Sequence, residues 1–165
     1  MKFSLKNLIL AALFAAFVYV ATAWLPRIPI PAGGYVHVGD VFVFLAAALL
    51  PKRYALPAAG IGAALADLLT GFALWAPASL VIKMLCALCL TCRHKVLCKA
   101  NWLGLLAALP ITVGGYYLAE VFMAGNFTSP LAGMPFNAAQ WLVSAVLFVL
   151  AGAAADRGGL KRFLR

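Results

Sequence analysis

The chain has 165 residues, a length suited to one domain. Two thirds of it is hydrophobic (66%) and only 10% is charged, against about 25% charged in soluble domains, which excludes an ordinary soluble fold. The net charge of +9 would suit a nucleic-acid partner, but the basic residues lie scattered at the ends of apolar runs, as membrane topology requires, so no nucleic-acid partner is expected.

Long apolar runs separated by short Pro/Gly or Lys/Arg clusters predict an all-α membrane protein, a bundle of six transmembrane helices forming a single integral domain over residues 1–165. The spans fall at about 7–25, 39–50, 54–73, 78–92, 101–124 and 137–155. The first resembles a secretory signal in composition, but it is not followed by a soluble chain and is expected to stay as a helix. It carries small residues four apart, Ala11 with Ala15 and Ala12 with Ala16, a spacing that lets another helix approach closely. The partner on that face is either a helix of the same bundle or a second protein.

The second span is short. Twelve residues rise ~18 Å, less than the ~30 Å hydrocarbon core. It opens with a carboxylate, Asp40, just after Tyr35 and His37 in the preceding loop. Further ionisable groups follow at Asp67 in the third span, Lys83 in the fourth and Glu120 in the fifth. Each costs ~2.5–3.5 kcal/mol on insertion scales, so each needs a partner or a task. Asp40, Asp67 and Lys83 are expected to form a structural charge network pinning spans two to four. Glu120 is a candidate ligand contact. Tyr116 and Tyr117 lie four and three residues before it, and Asn137 and Gln140 open the last span.

The fourth span ends in "CALCLTCRHKVLC", with Cys86, Cys89, Cys92, His94 and Cys98. The early cysteines match part of an iron–sulfur ligand run, but five residues separate Cys92 from Cys98 and no proline follows. Three cysteines at helical spacing make a stripe, not a wrapping loop. Reduced structural cysteines are expected here, with no metal and no cofactor.

Orientation follows from the basic residues. With the N-terminus inside, eleven fall on the inner face: Lys2, Lys6, Lys52, Arg53, Arg93, Lys95, Lys99, Arg157, Lys161, Arg162 and Arg165. Only Arg27 falls outside. Both termini are therefore expected in the cytoplasm. The four in-span charges then all lie in the outer half, as a cup open to the outside and closed inward by apolar helix. A channel would need polar lining to continue inward.

Residues 33–83 are similar to the S components of energy-coupling factor (ECF) vitamin transporters, most of all the branch with riboflavin-type, hydroxymethylpyrimidine and pyridoxine-related members. The resemblance is carried by Gly39–Asp40, Gly60-Ile61-Gly62, Ala66-Asp67-Leu68-Leu69 and the run from Pro77 to Lys83. It implies capture of one small vitamin or precursor from outside, in a pocket gated by about 27–38. It implies partners: a transmembrane scaffold (T) subunit with two cytoplasmic ATPases, docked on the Ala11/Ala15 and Ala12/Ala16 stripes, in a prokaryotic plasma membrane. The chain itself would be no enzyme. The fifth and sixth spans match no single vitamin's ligand set; aromatic rings beside a carboxylate suit a pyridoxine-like or aminopyrimidine ring. Pocket candidates are Glu120, Tyr116, Tyr117, Asn137, Gln140, His37 and Tyr35. Competing readings are a self-sufficient carrier or channel, a purely structural membrane protein, and an intramembrane aspartyl protease using Asp40 and Asp67. The last is weakened by His37, which stands where Gly-x-Gly-Asp has its first glycine, and by Lys83, which would keep both acids ionised.

Overall fold

Eight of the ten residues of α2, Asp40–Leu49, are buried among the other helices. The computed structural model describes residues 4–25, 28–29, 35–91 and 95–161. Arg27, Cys92, Arg93 and His94 lie outside the described residues, as do Lys2, Arg162 and Arg165. The other helices are α1 (Leu5–Ala23), α3 (Lys52–Leu69), α4 (Ala76–Cys89), α5 (Lys99–Ala124) and α6 (Met134–Arg157). A small antiparallel hairpin, β1 (Ile28–Pro29) with β2 (Tyr35–Val36), joins α1 to α2. Short 3-10 turns, Ala73–Trp75 and Ser129–Gly133, lead into α4 and α6.

This is the six-helix membrane bundle that the apolar runs predict. The helices differ in their fitness to cross a bilayer. Leu5–Ala23, Lys99–Ala124 and Ser129–Arg157 are long and apolar enough by themselves. At 1.5 Å per residue α2 reaches only ~15 Å, and packing makes this tolerable. It touches α1, α3, α4 and α6, and Val43, Phe44, Ala46 and Ala48 are wholly buried. Lipid is met instead by side chains such as Leu103, Phe122 and Leu150, which stand exposed on α5 and α6.

The helix ends shift from the expected spans for local reasons. The third helix starts right after Pro51, a residue that suits a helix start because its missing N–H would be unused there. The fourth stops at Cys89, three residues short of 92, because Leu90 is already extended.

Glycines set how closely the helices approach. A Cβ at Gly62 would sit 2.5 Å from the Ala15 carbonyl oxygen, so α1 and α3 meet backbone to backbone. Gly60 does the same toward α4, where Leu80 O and Met84 press in. A Gly60-x-Gly62 pair therefore serves two neighbours from one turn of α3.

The basic end is tied by side chains that cap backbone. Asp156, on the last turn of α6, accepts from the Val96 and Leu97 amides at 2.8 and 2.9 Å. Asn101 brackets the same loop, accepting from Thr91 N–H and donating to Thr91 O and Val96 O. Buried Cys86 sits between α4 and α5, its Sγ 3.4 Å from Thr112 Oγ1.

Candidate functional site

The polar cluster lies at the opposite end, where the hairpin and both 3-10 turns gather. Its centre is a buried ion pair: Lys83 Nζ lies 2.7 Å from Asp40 Oδ1 and donates to Oδ2 at 2.9 Å. Both side chains are almost fully buried, at 1% and 3% exposure, so each depends on the other for charge compensation. Gln140, on α6, donates to Asp40 Oδ2 at 3.0 Å. Its other end accepts from the His37 backbone N–H at 3.2 Å.

Asp40 is aimed by the turn before it. The amide of Gly39 donates to His37 Nδ1 at 3.0 Å, and Thr22 Oγ1 of α1 lies 3.4 Å from that nitrogen. A Cβ at Gly39 would collide with Thr22 Oγ1. Glycine is therefore needed immediately before the carboxylate for space, since its φ of −59° is ordinary.

Asp67 has a different partner from the one expected of it. Its Oδ1 accepts from the Tyr35 hydroxyl at 2.9 Å. The Tyr35 ring packs on Phe72 at 4.7 Å between centroids. Burial, then the neighbouring Asp67 charge, pushes the Tyr35 phenol above its ordinary pKa, so it remains a donor. Within the expected set of three, the direct ion pair is Asp40–Lys83, while the direct hydrogen bond to Asp67 comes from Tyr35.

Tyr116 joins the ion pair to α5. Lys83 Nζ stands 4.9 Å from its ring centroid, its hydroxyl lies 3.0 Å from Ser79 Oγ, and Trp75 packs beside it at 6.1 Å. One turn on, Glu120 is buried, and its Oε2 has no hydrogen-bond partner among the described residues. Gly133, in the turn before α6, leaves room for it, because a Cβ there would come within 2.8 Å of Oε2. Asn137 and Ser144 are buried on the same α6, and Ser144 Oγ is likewise without a partner among the described residues. The Tyr117 hydroxyl donates to Phe127 O at 3.1 Å, on the exposed side of α5.

The alanine stripes of α1 split. Ala11 is buried against α3 beside Tyr54 and Ala58, whereas Ala12 and Ala16 are exposed. All four alanines line an open, mostly apolar groove of about 580 Å³ between α1 and α3.

The family model for the S component of the ECF-type riboflavin transporter matches residues 2–157. This chain belongs to that family. A thiamine precursor transporter, HmpT of Lactococcus lactis subsp. cremoris (strain MG1363), is 32% identical over 163 residues, covering 95% of this chain and 92% of the relative. An uncharacterized protein in a gap 3'region of Pyrococcus woesei is 46% identical over 63 residues, 38% of this chain and 42% of that one. A solved S component of a bacterial ECF transporter superposes with a TM-score of 0.71 at 19% identity, covering 92% of this chain and 96% of the other; the two share the fold. This S component is therefore the substrate-binding part of a vitamin or precursor importer, and it works with a T scaffold and ATPase subunits. It is a multi-pass protein of the prokaryotic plasma membrane and a transport component, not an enzyme. The protease alternative also lacks its dyad, since Asp40 is held by Lys83 and Gln140 while Asp67 is held by Tyr35.

Proposed function

We propose that this S component captures a small, planar, amine-bearing ring, an aminopyrimidine-type thiamine precursor, from outside the cell. The observation that carries the reading is Glu120, a buried carboxylate whose Oε2 has no hydrogen-bond partner among the described residues. A buried carboxylate oxygen without a donor is costly, and a ligand amine or hydroxyl would relieve that cost. Tyr116 stands one turn away with Trp75 packed against it as aromatic surface, and Asn137 and Ser144 add polar atoms from α6. The name of the relative from Lactococcus lactis supports the substrate class. The excess of basic residues at the other end supports both termini being cytoplasmic, with the polar cluster facing out.

The test is purification in detergent, identification of any co-purified small molecule by mass spectrometry, and titration with an aminopyrimidine alcohol, pyridoxine and riboflavin. Tight binding of the aminopyrimidine is expected. A riboflavin-only preparation would replace this substrate class with the family's namesake.

The α1–α3 groove is the proposed contact for the scaffold subunit. Changing both exposed alanines, A12L with A16L, is expected to leave ligand binding intact. Energised uptake by the complete complex should fall about tenfold, the effect of ~1.4 kcal/mol of lost association. Unimpaired uptake would move the docking face elsewhere.

A further inference from the structure

We infer that Gln140 is a positioning residue that couples the segment after the hairpin to the buried ion pair, and that it acts without touching the ligand. The inference deepens the capture reading above and rests on it. Gln140 is 1% exposed, and both ends of its amide are engaged. Oε1 accepts from the His37 backbone at 3.2 Å and Nε2 donates to Asp40 at 3.0 Å. This orientation of the amide is required, because a backbone N–H needs an acceptor and a carboxylate needs a donor.

The path runs on in both directions. Toward α1, His37 Nδ1 accepts from Gly39 and meets Thr22. Toward α5, Asp40 passes to Lys83, which stands over the Tyr116 ring next to Trp75. The His37 backbone is thereby connected, through Gln140, Asp40 and Lys83 in turn, to the Tyr116 wall proposed to hold the ligand. Methionine at 140 would keep the bulk yet leave the His37 amide and Asp40 one partner short each. Glutamate would keep an acceptor for His37 but set a second carboxylate against Asp40. The amide therefore sets how firmly the segment is closed, and with it how fast a captured molecule leaves.

The experiment is hydrogen–deuterium exchange on the ligand-free protein in detergent, following amides 35–40 against the helices. Gln140→Met is expected to speed exchange in that segment roughly 5- to 30-fold, the span of one or two kcal/mol. Exchange in α1, α4 and α5 should stay as in the wild type. Gln140→Glu should accelerate it less. Unchanged exchange at 35–40 in Gln140→Met overturns the proposal. So does acceleration spread evenly over the bundle, which would make Gln140 a general packing residue. Release of an aminopyrimidine alcohol or riboflavin, measured by stopped flow, gives the second readout: Gln140→Met should speed it by a similar factor. Weaker binding without faster exchange would make Gln140 a ligand contact and overturn the proposal. A wild-type chain that retains neither probe removes the proposed substrate class, while the exchange result still decides the role of Gln140.

Discussion

Lys83→Met is expected to destabilise the bundle by about 3–5 kcal/mol, the cost of leaving one member of a buried ion pair without the other. Asp40 would keep Gln140 as a donor, at 3.0 Å, but a neutral amide does not balance a carboxylate that is 2% exposed. The Tyr116 ring would also lose the cation above it. The double change, Asp40→Leu with Lys83→Met, removes both charges together and is expected to recover most of the loss. Pairs replaced by apolar groups of similar size are often near neutral. Denaturant titration of the detergent-solubilised protein reads both variants. A Lys83→Met midpoint equal to wild type would show that the pair contributes little. A double variant as weak as the single one would place the importance in Asp40's bond to Gln140.

Glu120→Gln is expected to weaken binding of an amine-bearing ring by about 10- to 150-fold, the equivalent of a hydrogen bond to a charged group at ~1.5–3 kcal/mol. The fold should be unaffected, because Glu120 Oε2 bonds to no described residue that the change would strand. Calorimetric titration with an aminopyrimidine alcohol and with an analogue lacking the amine separates the causes. The amine-bearing probe should lose affinity and the analogue should not. Equal affinities for every probe would take Glu120 out of the pocket.

Much of the architecture was legible because apolar runs in a membrane protein have few alternatives: backbone groups in lipid must be satisfied within helices. The site was less so. Spacing alone puts Tyr116 and Tyr117 equally near Glu120, at four and three residues, yet α4 packs on the Tyr116 side and leaves Tyr117 to bond with Phe127 O. Charge arithmetic joins Asp67 to Lys83, but it does not reveal the hydrogen bond that Asp67 accepts from the Tyr35 hydroxyl of the hairpin, since no pattern in the chain announces a two-residue strand. The bridge made by Gln140 is invisible to local spacing because its two partners are 100 and 103 residues away. Asp156 was hidden in a basic tail, where its one signal was being an acid among cations, beside a loop with amides to satisfy. Gly60 and Gly62 stood out in the sequence only as part of the family resemblance; the fold shows that they admit α4 and α1 to close approach.

The shortness of α2 has a consequence for how the protein is made. Chains emerge from the ribosome N-terminus first, so ten residues headed by Asp40 reach the bilayer before Lys83 exists to neutralise them. Such a segment has neither the length nor the charge balance to settle alone. It must wait at the membrane surface, or beside a helper, until α3 and α4 have been synthesised. Gln140 and Asp156 arrive later still, with the final helix, and close contacts made to both the first and the second half of the chain. Assembly is therefore gated by its last step, and a chain stalled before α6 would expose an unfinished polar end, a mark by which quality control could recognise it.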